Sequence, residues 1–450
     1  MLNKRFVDYN NMSLLTDLYE LTMAQVYFEK GINKTSVFNF FIRPTTKRNY
    51  FLFTGLDLLI DYLLNIKFTD ENIEFLRSTG KFKEDFLNYL KNFKFTGNLY
   101  SVDEGKIVFA NEPIVQVEAP IIEAQIIETF LINTLQISIL VGTKALRCYS
   151  VAPDKILIDF GLRRAHGTDA GMIAARSSYI AGFAGTSNVL AGKIFRIPIY
   201  GTMAHSFVMA HDSEEKAFEN FASVYPENTI FLVDTYDTIE GVKNAIKVAK
   251  KKGIRIKGIR LDSGDLLNLS KEARKLLDVN GFRDAIIFAS GGINEYKIKD
   301  LVDKRAPIDG YGVGTELVVS ADLPYLDCAY KLVEYDGKPK MKLSTKKITV
   351  PYKKQLYRIF RNGKILKDVV SHFDEQVEDG VKMLKLYIKD GELVRNSPSI
   401  SEIREKTLIN FKTIPDTFKS ITQYMTINPE ISPRLMKMAE DLRKSIKSGV

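Results

Sequence analysis

Between residues 155 and 315 short β-rich runs alternate with helical text, and this rhythm constrains the fold more than any other feature. The runs are KILIDF, IPIYGT, TIFLVD, IKGIRLD, AIIFAS and IDGYGVG. Helical segments such as DTIEGVKNAIKVAKKKG and DLLNLSKEARKLLD fall between them. Repeated βα units predict a parallel sheet with helices covering its faces. Six clear strands are too few for a complete (β/α)8 barrel, so an irregular, incomplete barrel is expected.

The text on either side differs. Residues 1–120 mix helix and strand: LTDLYELTMAQVYFEK and GLDLLIDYLLNI have helical periodicity, and SVFNFFIRP alternates like a strand. Residues 121–149 read as one long apolar helix packed in the core. After 330 the chain turns to strand-like, Lys-rich runs and ends in a helical segment, PRLMKMAEDLRKSIKSG. The expected organisation is therefore an N-terminal α/β domain over 1–120, an irregular α/β barrel over 121–330, and strands and helices over 331–450 that return to the N-terminal domain.

Composition bounds the function. The apolar share of 45% and charged share of 26% are those of a globular protein. Two widely separated cysteines suggest a reducing compartment without a disulfide framework. The N-terminus lacks an uninterrupted apolar run, because Asp17 and Glu20 break it. The stretch 131–143 reads as too short and too polar to span a bilayer, and a cytoplasmic protein is expected. The net charge of +9 is spread through the chain, with no basic arm or RNA-binding motif, so neither nucleic acid nor membrane is an expected partner.

Polar residues follow every strand of the regular region. KILIDF runs into GLRRAHG, IPIY into GTMAH, and TIFLV into Asp234-Thr235-Tyr236-Asp237. IRL runs into Asp262-Ser263-Gly264-Asp265, AIIFA into Ser290-Gly291-Gly292, and YGV into Gly314-Thr315. Each motif alone reads equally well as a turn or a helix cap. They gain weight together, because ligands in parallel α/β folds bind at the carboxyl ends of strands. Glycine turns that open helices cradle phosphates, and Arg163 and Arg164 add complementary charge. Asp234, Asp262 and Asp265 can hold Mg²⁺ with a pyrophosphate, or orient a histidine. Three of the four histidines fall in this region, yet His205 and His211 lie six apart, roughly 240° around a helix, which is not metal-ligand spacing.

The ordered set DFGLRRAHG, GTSNVLAG, GTMAHSFVMAH, LDSGD, ASGGIN and GVGTEL resembles nicotinate phosphoribosyltransferase. The resemblance extends to LLTDLYELTMAQVY, FIRPTTKRNYFLFTGL and KLVEYDGKPKMKLS, covering most of residues 10–360. It implies the type II phosphoribosyltransferase fold and a homodimer with shared active sites. It also implies transfer of phosphoribosyl from phosphoribosyl pyrophosphate to nicotinate, coupled to ATP hydrolysis, in NAD biosynthesis. Mg²⁺ would come with ATP and the ribosyl donor, held through their phosphates and not in a dedicated metal site.

By the same resemblance His205 is the histidine phosphorylated by ATP, with Asp234 the first choice for the carboxylate that orients it and Asp262 the second. Phe160 would lie against one face of nicotinate and Tyr19, from the partner subunit, against the other. Arg260 would face the nicotinate carboxylate with Thr202 nearby. Ser187 stands where the nicotinamide-using relative carries an aspartate. Arg163, Gly291, Gly292, Gly314 and Thr315 would hold the phosphates of the donor. The sequence departs from the family at Tyr352, which replaces a glycine. The alternatives are the nicotinamide enzyme and a non-catalytic basic binding protein on the same fold.

Overall fold

The computed structural model describes residues 6–343, 350–425 and 427–448. Ser344, the last residue of the KMKLS run, therefore lies outside the described residues. The chain divides into two compact units, Met1–Ile139 with Tyr325–Val450, and Leu140–Pro324.

The unit Leu140–Pro324 holds a six-stranded sheet. Its strands are β1 Ile156–Asp159, β2 Gly185–Thr186, β3 Ile230–Leu232, β4 Gly258–Leu261, β5 Ile286–Ala289 and β6 Gly310–Val313. All neighbours are parallel, in the order β2-β1-β6-β5-β4-β3. The first strand thus lies between the second and the last, so the chain order runs around a ring. Beyond β2, Thr186 makes an isolated parallel bridge to Ile199. The sheet is an irregular α/β barrel whose seam falls between Ile199 and β3.

One expected strand changes place. IPIY contributes only the Ile199 bridge, and its place among the six strands is taken by β2, Gly185–Thr186. A Gly-Thr pair carries no periodic signal. Its glycine matters for backbone approach, since a Cβ at Gly185 would lie 2.2 Å from the Pro198 carbonyl oxygen.

The helices form where amphipathic text follows a capping side chain. Asp237 caps Thr238–Lys252 by accepting from the Glu240 amide, and Asn294 caps Glu295–Asp303 by accepting from Lys297. Thr238–Lys252 buries Val242, Ala245, Ile246, Val248 and Ala249. On the strands Ile259, Leu261, Ile287 and Val313 are buried, each contributing about 1.5–3 kcal/mol if aliphatic burial is complete.

The apolar segment after 120 is two helices, Ile121–Ile126 and Glu128–Val151, broken at Ile127. The second has 24 residues and is long and apolar enough to cross a membrane by length and composition, contrary to the reading of 131–143. Its most apolar window is 67% buried within the protein, and at its C-terminal half Lys144 pairs with Glu295 at 2.6 Å and Asp322 at 3.0 Å. It serves as a core helix.

In the other unit, sequence-distant strands share one sheet. Cys328–Tyr335 pairs antiparallel with Thr35–Ile42, and Lys385–Lys389 with Asn98–Ser101. C-terminal segments thereby complete the N-terminal α/β sheet. A second sheet is built on Lys354–Arg361 and Lys364–His372, where buried Arg358 donates to both oxygens of Asp368 at 2.8 and 2.6 Å. Burial and the adjacent Asp368 push the Glu112 carboxyl well up beside this pair.

Tyr352 adopts φ +73°, the left-handed conformation that its missing family glycine would hold without strain. Its amide donates to Val333, its carbonyl accepts from Lys354 Nζ at 2.7 Å, and its ring meets His372 edge-on at 5.7 Å. Tyr352→Gly should relieve about 1 kcal/mol of backbone strain and raise the denaturant midpoint. A lowered midpoint would mean that the ring contact outweighs the strain.

Candidate active site

At the end of β1, Asp159 is buried, and burial pushes its carboxyl up against two stabilising bonds. Its oxygens accept from the Gly161 amide at 2.8 Å and the Thr186 hydroxyl at 2.7 Å, tying the first two strand ends together. Sequence reasoning overlooked this residue, although it opens the DFG motif. A Cβ at Gly161 would lie 2.0 Å from Val318 Cγ1 and 3.0 Å from the Gly314 carbonyl oxygen, so a larger residue there would push the Val318 side chain aside.

Phe160 is half-buried, with its ring 5.8 Å from that of Phe288 at 49°. Gly312 makes room for it, because a Cβ there would meet the Phe160 ring at 2.4 Å. Arg163 follows on an exposed turn. Ser187, half-buried, donates its amide to the Asp159 carbonyl at 2.8 Å, just before Asn188 caps Val189–Phe195.

Arg260, on β4, donates through Nη2 to the Met203 carbonyl at 3.0 Å. The neighbouring Thr202 hydroxyl reaches the same carbonyl only weakly, at 3.4 Å. Arg260 Nε is buried with no hydrogen-bond partner among the described residues. Burial lowers the affinity of this guanidinium for its proton, Asp262 and Asp234 oppose that, and Arg163 reinforces it. The four charges therefore share one neighbourhood.

The carboxylates are interlocked. Asp234 Oδ2 accepts from the Asp262 amide at 2.9 Å and the Ser263 hydroxyl at 2.7 Å, while its Oδ1 is buried without a partner among the described residues. Ser290 Oγ donates to Asp262 Oδ1, which joins β5 to the same cluster. Asp265 stands apart as the cap of Leu266–Val279, bonded to Asn268. Ser263 and Ser290 carry only a generic polar signal in sequence and were not singled out for these roles.

His205 opens the short helix His205–Met209, beyond the seam strand. Its Nδ1 lies 3.2 Å from Thr235 Oγ1, and its Nε2 lies 3.9 Å from Asp262 Oδ2. Nδ1 thus meets the hydroxyl of the residue after Asp234 and not the expected Asp234 carboxylate, whose Oδ2 is engaged with the turn after β4. His211 Nδ1 bonds the Phe207 carbonyl at 2.7 Å, and His166 is exposed.

The glycine turns lie on the adjoining strand ends. Gly291 has φ +79°, and a Cβ there would fall 1.8 Å from the Asp262 carbonyl oxygen; Gly292 has φ +61° with open space around it. Gly314 precedes the exposed Thr315 at the end of β6. Tyr19 belongs to the other unit, on helix Leu18–Glu29, and is 49% exposed. Next to it Glu20 is buried on the Gln125 amide, and burial pushes its carboxyl up to about 7.

A ring of parallel βα units, with an arginine, two interlocked aspartates, a histidine and glycine turns at the strand ends, is a phosphoribosyltransferase architecture of the type II arrangement. The nicotinate phosphoribosyltransferase N-terminal domain model matches residues 14–136, and the nicotinate phosphoribosyltransferase family model matches residues 156–373. The chain is 42% identical to nicotinate phosphoribosyltransferase pncB2 of Mycobacterium tuberculosis, covering 91% of this chain and 89% of that one. It is 43% identical to nicotinate phosphoribosyltransferase of Bacillus subtilis, covering 94% and 93%. The crystal structure of human nicotinic acid phosphoribosyltransferase superposes with a TM-score of 0.85 at 25% identity, covering 95% of this chain and 99% of that one. The chain belongs to the nicotinate phosphoribosyltransferase family.

Proposed function

We propose that this protein is a cytoplasmic enzyme of NAD biosynthesis that joins nicotinate to phosphoribosyl pyrophosphate, giving nicotinate mononucleotide and pyrophosphate. We further propose that ATP drives this reaction through phosphorylation of His205. The observation that carries the substrate assignment is Arg260, whose buried Nε has no partner in the described protein and suits a carboxylate ligand. Phe160 offers a half-buried aromatic face for the pyridine, and the half-buried Thr202 and Ser187 would turn hydroxyls toward the ligand. Tyr19 of a second copy would close the other face, which makes the working unit a homodimer.

In the transfer, the pyridine nitrogen forms a bond to the anomeric carbon while the bond from that carbon to pyrophosphate breaks and pyrophosphate takes the electron pair. Positive charge builds on the ribose, so no protein nucleophile is needed, and the nearby carboxylates stabilise it. Arg163, the Gly291–Gly292 turn and the Gly314–Thr315 turn suit the donor's phosphates. The free oxygens of Asp234 and Asp262 suit Mg²⁺ carried by those phosphates, which would neutralise charge on the leaving group.

Nicotinate mononucleotide formation by the purified protein, with and without ATP, tests the assignment. kcat/KM should strongly favour nicotinate over nicotinamide, because Ser187 can donate to a carboxylate where an aspartate would repel it. Equal or greater efficiency with nicotinamide would overturn the substrate choice.

A further inference from the structure

The two ring nitrogens of His205 have unlike surroundings. Nδ1 is within hydrogen-bond reach of the Thr235 hydroxyl, at 3.2 Å. Nε2 faces Asp262 Oδ2 at 3.9 Å, too far for a hydrogen bond. From this difference we infer that Thr235 is a positioning residue that holds the Nδ1–H form of His205 and presents the Nε2 lone pair to the γ-phosphoryl group of ATP. The inference rests on the proposed phosphorylation of His205 and deepens it.

The His205 side chain is 40% exposed and sits at the first position of a five-residue helix, so local packing alone leaves the ring free to turn. Thr235 fixes it from across the seam, three residues beyond the end of β3. The adjacent carboxylate does not bond the ring here: Asp234 Oδ2 holds the Asp262 amide and the Ser263 hydroxyl, and its buried Oδ1 has no hydrogen-bond partner among the described residues. A neutral hydroxyl also suits the task better than a carboxylate. An anion at Nδ1 would favour the doubly protonated ring, which has no lone pair to attack with.

In the step, Nε2 forms a bond to the γ-phosphorus. The bond from that phosphorus to the β,γ-bridging oxygen breaks, and ADP leaves with the electron pair. The ring becomes a phosphoimidazolium whose proton stays on Nδ1, donated to Thr235 Oγ1, so no proton moves and charge balances.

Thr235→Val removes the hydroxyl at nearly constant volume, and Thr235→Ser keeps it. With γ-labelled ATP and Mg²⁺, the valine variant should label about tenfold more slowly. Phosphorus NMR should find its phosphate divided between Nδ1 and Nε2, while the wild type and the serine variant carry it on Nε2 alone. Labelling of the valine variant at the wild-type rate and solely on Nε2 would overturn the proposal. Nitrogen NMR of the resting wild-type protein, with its four histidines labelled and His205 assigned by its absence from the His205→Ala spectrum, reads the tautomer directly and needs no Thr235 variant to fold. A proton on Nδ1 supports the inference, and a proton on Nε2 sinks it. If the wild type takes no label on His205, the phosphoryl-acceptor reading fails by itself, while the tautomer measurement still judges Thr235.

Discussion

His205→Ala should make the rates of nicotinate mononucleotide synthesis with and without ATP equal, and should abolish acid-labile, base-stable labelling by γ-labelled ATP. Slow ATP-independent synthesis should persist. The ribosyl donor is expected to be held by Arg163 and the glycine turns, and bond formation at the ribose needs no imidazole. Phosphate on His205 would instead add charge and acceptor oxygens beside Asp262, 3.9 Å from Nε2, and so reorganise the pyrophosphate end of the pocket. A mutant that still takes up label and still responds to ATP would move the acceptor to His166 or His211. His211 is the poorer candidate of these, since its Nδ1 is tied to the Phe207 carbonyl.

Gly291→Ala should be nearly as damaging, for a purely steric reason. The new Cβ would lie 1.8 Å from the Asp262 carbonyl oxygen, at a backbone φ of +79° that alanine adopts only with strain. Either the Ser290 turn or the Asp262 turn must shift. Both carry the hydrogen bond that joins these two residues, so the carboxylate facing His205 moves with them. Overpacking of this kind costs about 1–3 kcal/mol, and a displacement near 1 Å at a reacting centre can lower the rate about a hundredfold. Gly292→Ala is the control. It has φ +61° but no atom within 4 Å of its Cβ, so it should carry the backbone strain alone, about 1–2 kcal/mol. Steady-state kinetics with varied phosphoribosyl pyrophosphate and thermal unfolding of both variants would separate the effects. Equal behaviour of the two would refute the steric account.

Much of the fold and site was legible in the sequence because βα periodicity and strand-end chemistry are local. KILIDF, TIFLV, IRL, AIIFA and YGV each announce a strand by composition, and the polar residue after each follows from chain order. The conformations of Gly291 and Gly292 are likewise local, since positive φ selects glycine wherever a tight turn needs it. The misread elements lack such a signal. Gly185–Thr186 is a strand because its backbone approaches Pro198, and Ile127 interrupts a helix in text that is apolar on both sides.

By itself the sequence determined the order of the βα units, the residue types at their ends and, through the ordered motifs, the nicotinate phosphoribosyltransferase family. Only tertiary structure decided which of those polar groups answer one another. Asp234 and Asp262 are equivalent as text, yet Asp234 is engaged with the Asp262 amide and Ser263, and Asp262 alone faces His205. Thr235 became the partner of Nδ1, and Arg260 was left with a buried Nε that has no hydrogen-bond partner among the described residues. The physical reason is range. Periodicity and backbone preference act over a few residues, whereas a hydrogen bond between residues 30 apart in the chain depends on where the curved sheet brings its strand ends together.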